Sequence, residues 1–183
     1  MGVDTPFPIA AKGMPGYDTA QVTAFLERAR NVFEGVDDGV TSSKIRRTVF
    51  RLVKTGGFAT KAVDEALWRL EEAFADKERA EATAEKGEER YFGEIRERAQ
   101  EILDRSSRPR GEIFRTVSII QPGYHRGDVE SLCEDIAQYF QQRQLLSVAA
   151  LRTASFRTSL AGYDERQVDA LLDDTIAVML AVR

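Results

Sequence analysis

Apolar residues recur at helical spacing in several stretches of this chain, and each stretch follows a glycine and an aromatic residue. In the last of them Leu171 and Leu172 follow Val168 by three and four positions, and Ile176 follows Leu172 by four. This spacing places apolar side chains on one face of an α-helix. Each stretch therefore predicts a helix whose apolar face needs a packing partner, and the chain is predicted to be all-α.

The glycine-aromatic pair occurs four times with a valine six residues after the glycine, in GYDTAQV, GFATKAV, GYHRGDV and GYDERQV. We call these signature segments one to four. Four copies at fixed internal spacing predict four turn-plus-helix repeats. Their defining residues are Gly16, Tyr17, Asp18, Gln21 and Val22; Gly57, Phe58 and Val63; Gly123, Tyr124 and Val129; and Gly162, Tyr163, Asp164, Gln167 and Val168.

The start of each helix has its own signals. Asp18 precedes Gln21 by three positions, and Asp164 precedes Gln167 by the same distance, which is the pattern of a capping box. The preceding glycine is expected to take a positive φ and turn the chain into the helix. The aromatic residue and the valine are expected to form a hydrophobic staple across this start.

The spacing of the copies indicates how the chain is organised. Segments one and two begin 41 residues apart, segments three and four 39 apart, and 66 residues separate two from three. The chain is therefore predicted to hold two pairs of repeats. Residues 75–105, rich in Glu, Arg, Lys and Ala, predict a long charged helix that joins them, with Gly87 and Gly93 as candidate breaks. We predict domains at 1–105 and 112–183, with residues 106–111 as the linker.

Charge and apolar content limit the partners and the cellular compartment that we expect. The formal net charge is −4, so nothing attracts the whole chain to nucleic acid, and no nucleic-acid partner is expected. The lone Cys133 cannot form an internal disulfide, and the N-terminus lacks the basic and apolar regions of a signal peptide. No run approaches the roughly 20 apolar residues that span a bilayer. A cytoplasmic protein is expected.

Few residues indicate chemistry. His125 and Cys133 are eight positions apart and lack the further ligands that a zinc site requires. The sequence has no nucleophile elbow, P-loop or glycine-rich dinucleotide turn. We therefore expect no enzyme, no cofactor and no metal.

A phenylalanine, a variable gap, Gly-Tyr-Asp, then Gln-Val-Asp and a hydrophobic pair resemble the signature of the DivIVA domain, most closely in LRTASFRTSLAGYDERQVDALLDDTI from Leu151 onward. The resemblance implies a turn followed by a parallel coiled coil that recruits partner proteins. It implies a non-enzymatic scaffold or adaptor linked to bacterial cell division or polar growth. The alternative is a peripheral protein that inserts its repeat turns into curved membrane at the inner face of the cell membrane.

Candidate contact residues leave two interpretations open. Each phenylalanine of three Phe-Arg pairs either enters an anionic membrane or a partner, or packs beneath the helix of its own repeat with the arginine at the rim. The repeats would pair within one chain or in a homodimer. A basic run at 44–54 supports nucleic-acid binding only weakly. The candidate contacts are Phe50, Arg51, Phe114, Arg115, Phe156, Arg157 and Leu160.

Overall fold

In the computed structural model, which describes residues 6–183, the chain is mostly helical, with seven helices and two small antiparallel sheets among these residues. The predicted helical class is thereby confirmed. The two sheets were not predicted, because each strand has only two or three residues and carries no alternating pattern of its own. Within 6–183 no helix combines the length and the apolarity that a membrane crossing needs.

The chain divides into two compact units. Unit one ends at Glu81, and unit two runs from Ala82 to Arg183. The sequence predicts a boundary at 106–111 instead. The structure divides the chain earlier because the helix at Glu88–Ser106 packs against the helices of unit two, so its residues join that unit.

Unit one carries signature segments one and two. Its two strands pair antiparallel, with Gly16 opposite Val53. Its core contains the signature valines Val22 and Val63 together with Phe58 and other apolar side chains. Its elements are β1 (Gly16–Tyr17), α1 (Thr19–Phe33), α2 (Ser42–Arg46), β2 (Leu52–Val53) and α3 (Thr60–Lys86).

Unit two carries segments three and four in the same series of elements. Its strands pair antiparallel with Gly123 opposite Ser159, and Val129 and Val168 are buried. A helix without a counterpart in unit one, α4, packs against α5 and α7. The elements are α4 (Glu88–Ser106), β3 (Pro122–Tyr124), α5 (Arg126–Phe140), α6 (Val148–Arg152), β4 (Thr158–Leu160) and α7 (Glu165–Ala181).

The charged stretch is two helices. The helix is interrupted at Gly87, whose φ is 83°. Residues with a Cβ avoid this conformation. Gly93, the other candidate, lies inside α4. The prediction of one continuous helix over 75–105 is therefore wrong at Gly87.

Candidate functional site

The two signature glycines of each unit lie against each other. A Cβ on Gly16 would stand 2.6 Å from the carbonyl carbon of Gly57, and one on Gly123 would stand 2.4 Å from the carbonyl oxygen of Tyr163. These neighbours are backbone atoms, which cannot rotate away. Glycine is therefore required because two backbones cross in contact.

The predicted positive φ of the signature glycines is wrong, since none of the four adopts it. The left-handed conformation falls one position earlier in the second segment of each unit. Gly56 has φ of 71° and Ala161 has φ of 52°. Glycine satisfies this position in unit one, whereas alanine carries strain in unit two.

The aromatic residues beside the crossing exchange backbone hydrogen bonds. The Tyr17 amide donates to the Phe58 carbonyl (2.9 Å), and the Phe58 amide donates to the Tyr17 carbonyl (2.8 Å). Tyr124 and Tyr163 exchange the same pair of bonds at 3.0 and 2.8 Å. In each unit, two signature segments of one chain are thus fastened to each other.

The phenylalanine that precedes each signature segment also contacts the other segment of its unit. Each packs on the aromatic residue of the other segment in its unit. Phe50 and Phe114 are buried, so neither forms an exposed tip. The ring pairs and centroid distances are Phe7–Phe58 (5.4 Å), Phe50–Tyr17 (5.6 Å), Phe114–Tyr163 (5.6 Å) and Phe156–Tyr124 (4.9 Å).

The arginine after Phe50 fastens the start of α1. The Asp18 amide donates to the Arg51 carbonyl (2.9 Å), the Arg51 amide donates to Gln21 Oε1 (2.9 Å), and the Arg51 guanidinium pairs with the Asp18 carboxylate. Asp18 is the N-cap, as predicted, since it accepts from the Ala20 and Gln21 amides. The capping box is not completed, because the cap amide is already bonded to Arg51.

The start of α7 repeats this arrangement. The Asp164 amide donates to the Arg115 carbonyl (2.9 Å), and the Arg115 amide donates to Gln167 Oε1 (3.0 Å). The guanidinium donates to Asp164 Oδ2 at 2.6 Å. We call this arrangement, an arginine bound to the first turn of a helix by its amide, carbonyl and side chain, the arginine latch.

A third latch joins Arg157 to α5 with a different acid. His125 is the N-cap, and its amide donates to the Arg157 carbonyl (2.7 Å). Asp128 replaces glutamine and accepts from the Arg157 amide (3.1 Å), Nε (2.9 Å) and Nη2 (2.6 Å). His125 Nδ1 lies 3.1 Å from Asp128 Oδ1, so the histidine belongs to the latch.

The start of α3 has no arginine latch, because both the arginine and its acceptors are replaced. Pro8, in the place of the arginine, only accepts from the Ala59 amide (2.9 Å). Proline supplies no amide hydrogen and no guanidinium, while Ala59 and Ala62 supply no side-chain acceptor. Donor and acceptors are therefore missing together.

A second polar contact links the segments through the residue after the signature valine. Tyr163 Oη donates to Glu130 Oε1 at 2.8 Å. Burial, together with this carboxylate, raises the pKa of Tyr163 to about 12. Sequence reasoning did not pair these acids with tyrosines. The pattern was visible, however, because each tyrosine faces a segment with an acid after its valine, whereas Phe58 faces the segment that has Thr23 there. The other two pairs are Tyr17–Asp64 and Tyr124–Asp169.

The two kinds of contact shift carboxyl pKa values in opposite directions. Hydrogen bonds from the latch arginines hold the pKa of Asp18, Asp128 and Asp164 below the ordinary range. Burial raises the pKa of Asp64 and Asp169. The latch acids are therefore ionised at neutral pH, as an ion pair with arginine requires.

The other residues that the sequence offers for chemistry are Cys133 and the basic run at 44–54. No group of three or more metal-binding side chains occurs in the part of the chain that the structure describes. Burial raises the pKa of Cys133 to about 12, so its thiol is not activated. In the basic run, Arg46 pairs with the buried Glu71, and Lys44 donates to the Gly39 carbonyl.

Leu160 lies at an exposed apolar end of unit two. It pairs with Pro122 and is 64% exposed. Ile119 and Ile120, 78% and 83% exposed, form the middle of a turn that leads into β3. We call Ile119, Ile120 and Leu160 the isoleucine tip.

Comparison with known proteins gives no match to a family model, a curated protein or a solved structure.

Proposed function

We propose that this chain is a non-enzymatic adaptor of DivIVA type, linked to bacterial cell division or polar growth, which binds protein partners through its helix faces in the cytoplasm. In this proposal the four signature segments are DivIVA-like repeats in two pairs. The observation that supports it most is the reciprocal fastening of two segments within each unit. The arginines, acids and tyrosines that the sequence singles out are used in that fastening.

The consequence of this fastening is a fixed pair of helix starts. In unit one, Phe33 near the end of α1 contacts Phe74 on α3, with 5.4 Å between the ring centroids. A pair of helices held in this way presents outward faces of fixed spacing, which suits helix-mediated recognition.

The test is cellular position together with the effect of depletion. A fluorescent fusion at the native locus is expected to gather at division septa or growing poles, and depletion is expected to change cell length or width. The fluorescent protein alone is the control. A uniform distribution combined with normal cell dimensions after depletion would contradict the proposal.

A second candidate function is peripheral membrane binding through the isoleucine tip. Ile119 and Ile120 are among the most exposed large apolar residues that the structure describes. Apolar residues at a turn gain affinity for a bilayer by entering the headgroup boundary. This candidate uses Leu160 but not Phe50 or Phe114, which are buried.

Co-sedimentation with anionic vesicles separates the two candidates. If the tip inserts, Ile119→Asp/Ile120→Asp and Leu160→Asp each abolish pelleting. Val49→Asp changes a residue that is 88% exposed outside the tip and serves as the matched control. Equal pelleting of all variants, or none by the wild type, would exclude insertion through the tip.

A further inference from the structure

Unit two contains an open apolar groove of about 620 Å³. It lies between α4, the end of α5 with the loop that follows, and the end of α7. Ile95 and Met179 are buried in its floor, while Leu145 and Val182 are 96% and 52% exposed at its edge. A floor of buried apolar side chains with exposed apolar residues beside it is a surface suited to another apolar chain.

The charges that line this groove have one sign. Arg96 on α4 and Arg143 after α5 are its charged lining residues, and none of its described lining residues is acidic. Both arginines are exposed, and neither forms an ion pair with another described residue. Two unpaired guanidinium groups beside an apolar floor favour a ligand that carries carboxylates.

The matching ends of α1 and α3 in unit one, which has no counterpart of α4, carry an aromatic pair. There Phe33 and Phe74 contact each other, and Lys77 lies over the Phe33 ring (5.3 Å) and donates to the Phe33 carbonyl (2.7 Å). At the same distances after the signature valine, unit two has Met179 and Val182. The end of α7 therefore carries methionine and valine where the matching positions of α3 carry a phenylalanine ring and a lysine.

We propose that this groove binds an amphipathic helix of a partner protein, with apolar residues on one face and Asp or Glu beside them. The inference rests on the proposed adaptor function and locates its contact. An amphipathic helix binds by laying its apolar face into an apolar groove, and three elements line this one. Met179 adapts to different apolar side chains, and the arginines orient the acidic flanks.

The test is selection from a display library of random peptides about 16 residues long, a length that supports helix formation. The full-length chain is the bait. Enriched sequences are expected to carry Leu, Ile or Phe at helical spacing with neighbouring acids. Leu145→Asp/Val182→Asp, which changes exposed residues only, is expected to weaken binding of the selected peptides about tenfold or more.

Charge reversal provides the sharper arm. With Arg96→Glu/Arg143→Glu as bait, selection is expected to favour Lys and Arg in place of Asp and Glu. Circular dichroism verifies that each variant is folded. Absence of enrichment, enrichment without an acidic preference, or equal binding to the Leu145→Asp/Val182→Asp variant would each overturn the groove as the site. If the Leu145→Asp/Val182→Asp variant bound the peptides equally well, septal or polar localisation would still persist provided that the adaptor function holds. Failure of the groove and failure of the adaptor function are therefore distinguishable. Concentration-dependent dimerisation lost in that variant would assign the groove to a second copy of the chain and also overturn the proposal.

Discussion

A Cβ added to Gly16 would lie 2.6 Å from the carbonyl carbon of Gly57. We expect Gly16→Ala to destabilise the fold by about 3 kcal/mol, because the backbone must separate to admit the methyl group. Urea denaturation measures the change. Gly93→Ala is the control, since nothing lies within 4 Å of its added methyl group and alanine favours a helix interior, so stability should rise by about 1 kcal/mol. Equal behaviour of the two variants would refute the crossing.

Ala161 is the second residue whose effect depends on local geometry. Its φ of 52° is costly for alanine and free for glycine, so Ala161→Gly should stabilise the chain by about 0.5 kcal/mol. Gly56→Ala, at the corresponding place in unit one, should destabilise it by about 1 kcal/mol. The midpoints of thermal unfolding should therefore move in opposite directions. A loss of stability in Ala161→Gly contradicts the assigned conformation.

At the scale of elements, the latch joins an irregular segment to the first turn of a helix, and its parts are present or missing together. Arg51 and Arg115 each meet an acid at the N-cap of a helix and Arg157 meets one in a first turn, whereas Pro8 meets Ala59. Such matching is expected if the contact maintains the position of the helix start. The latch is therefore an element-level contact made by few residues.

The latch predicts acid sensitivity. The folded state lowers the pKa of Asp128, so this carboxylate contributes stability above the ordinary Asp pKa near 4, and the contribution is lost as pH falls below it. Asp128→Asn should therefore flatten the fall of the unfolding midpoint between about pH 5 and pH 2.5. Thermal melts across that range measure the slope.

Asp169 provides a control of opposite sign. Burial raises its pKa, so protonation of Asp169 favours the folded state and offsets part of the acid loss. Asp169→Asn removes this offset and should steepen the fall that Asp128→Asn flattens. If both variants changed the slope in the same direction, the assigned shifts would be wrong.

The buried pair between α2 and α3 tests another element contact. Arg46 Nε lies 2.6 Å from Glu71 Oε1, with side chains 9% and 1% exposed. Glu71→Ala leaves a buried charge and should cost about 3–5 kcal/mol. The double variant Arg46→Met/Glu71→Ile should recover most of this loss, because Ile176 occupies the place of Glu71 in unit two. A double-mutant cycle by chemical denaturation supplies the comparison, and additive losses would contradict it.

For the whole molecule, the main consequence is that segments pair within one chain. Light scattering should therefore give a mass near 20.5 kDa at micromolar concentration. This measurement distinguishes intramolecular pairing from the homodimer that the sequence leaves open. A mass of twice this value that persists on dilution would show that two chains are needed.

Local sequence determined helices such as α1 and α7 and the residues at which they start. Apolar spacing after Val22 and Val168 predicted α1 and α7, and Asp18 and Asp164 are the N-caps that their positions indicated. These features depend on neighbours a few positions away, so a local pattern carries them. The glycine-aromatic pair was also found correctly, but with the wrong physical reason.

Tertiary structure alone decided what these residues face. Gly16 meets Gly57 and Arg115 meets Asp164 across 41 and 49 positions of sequence, and no local pattern states which segment crosses which. The same holds for the membership of α4, which packing on α5 and α7 assigns to unit two. Helical periodicity is set by bonds between near residues, whereas the crossing, the latches and the groove depend on chain segments that come together only in the folded unit.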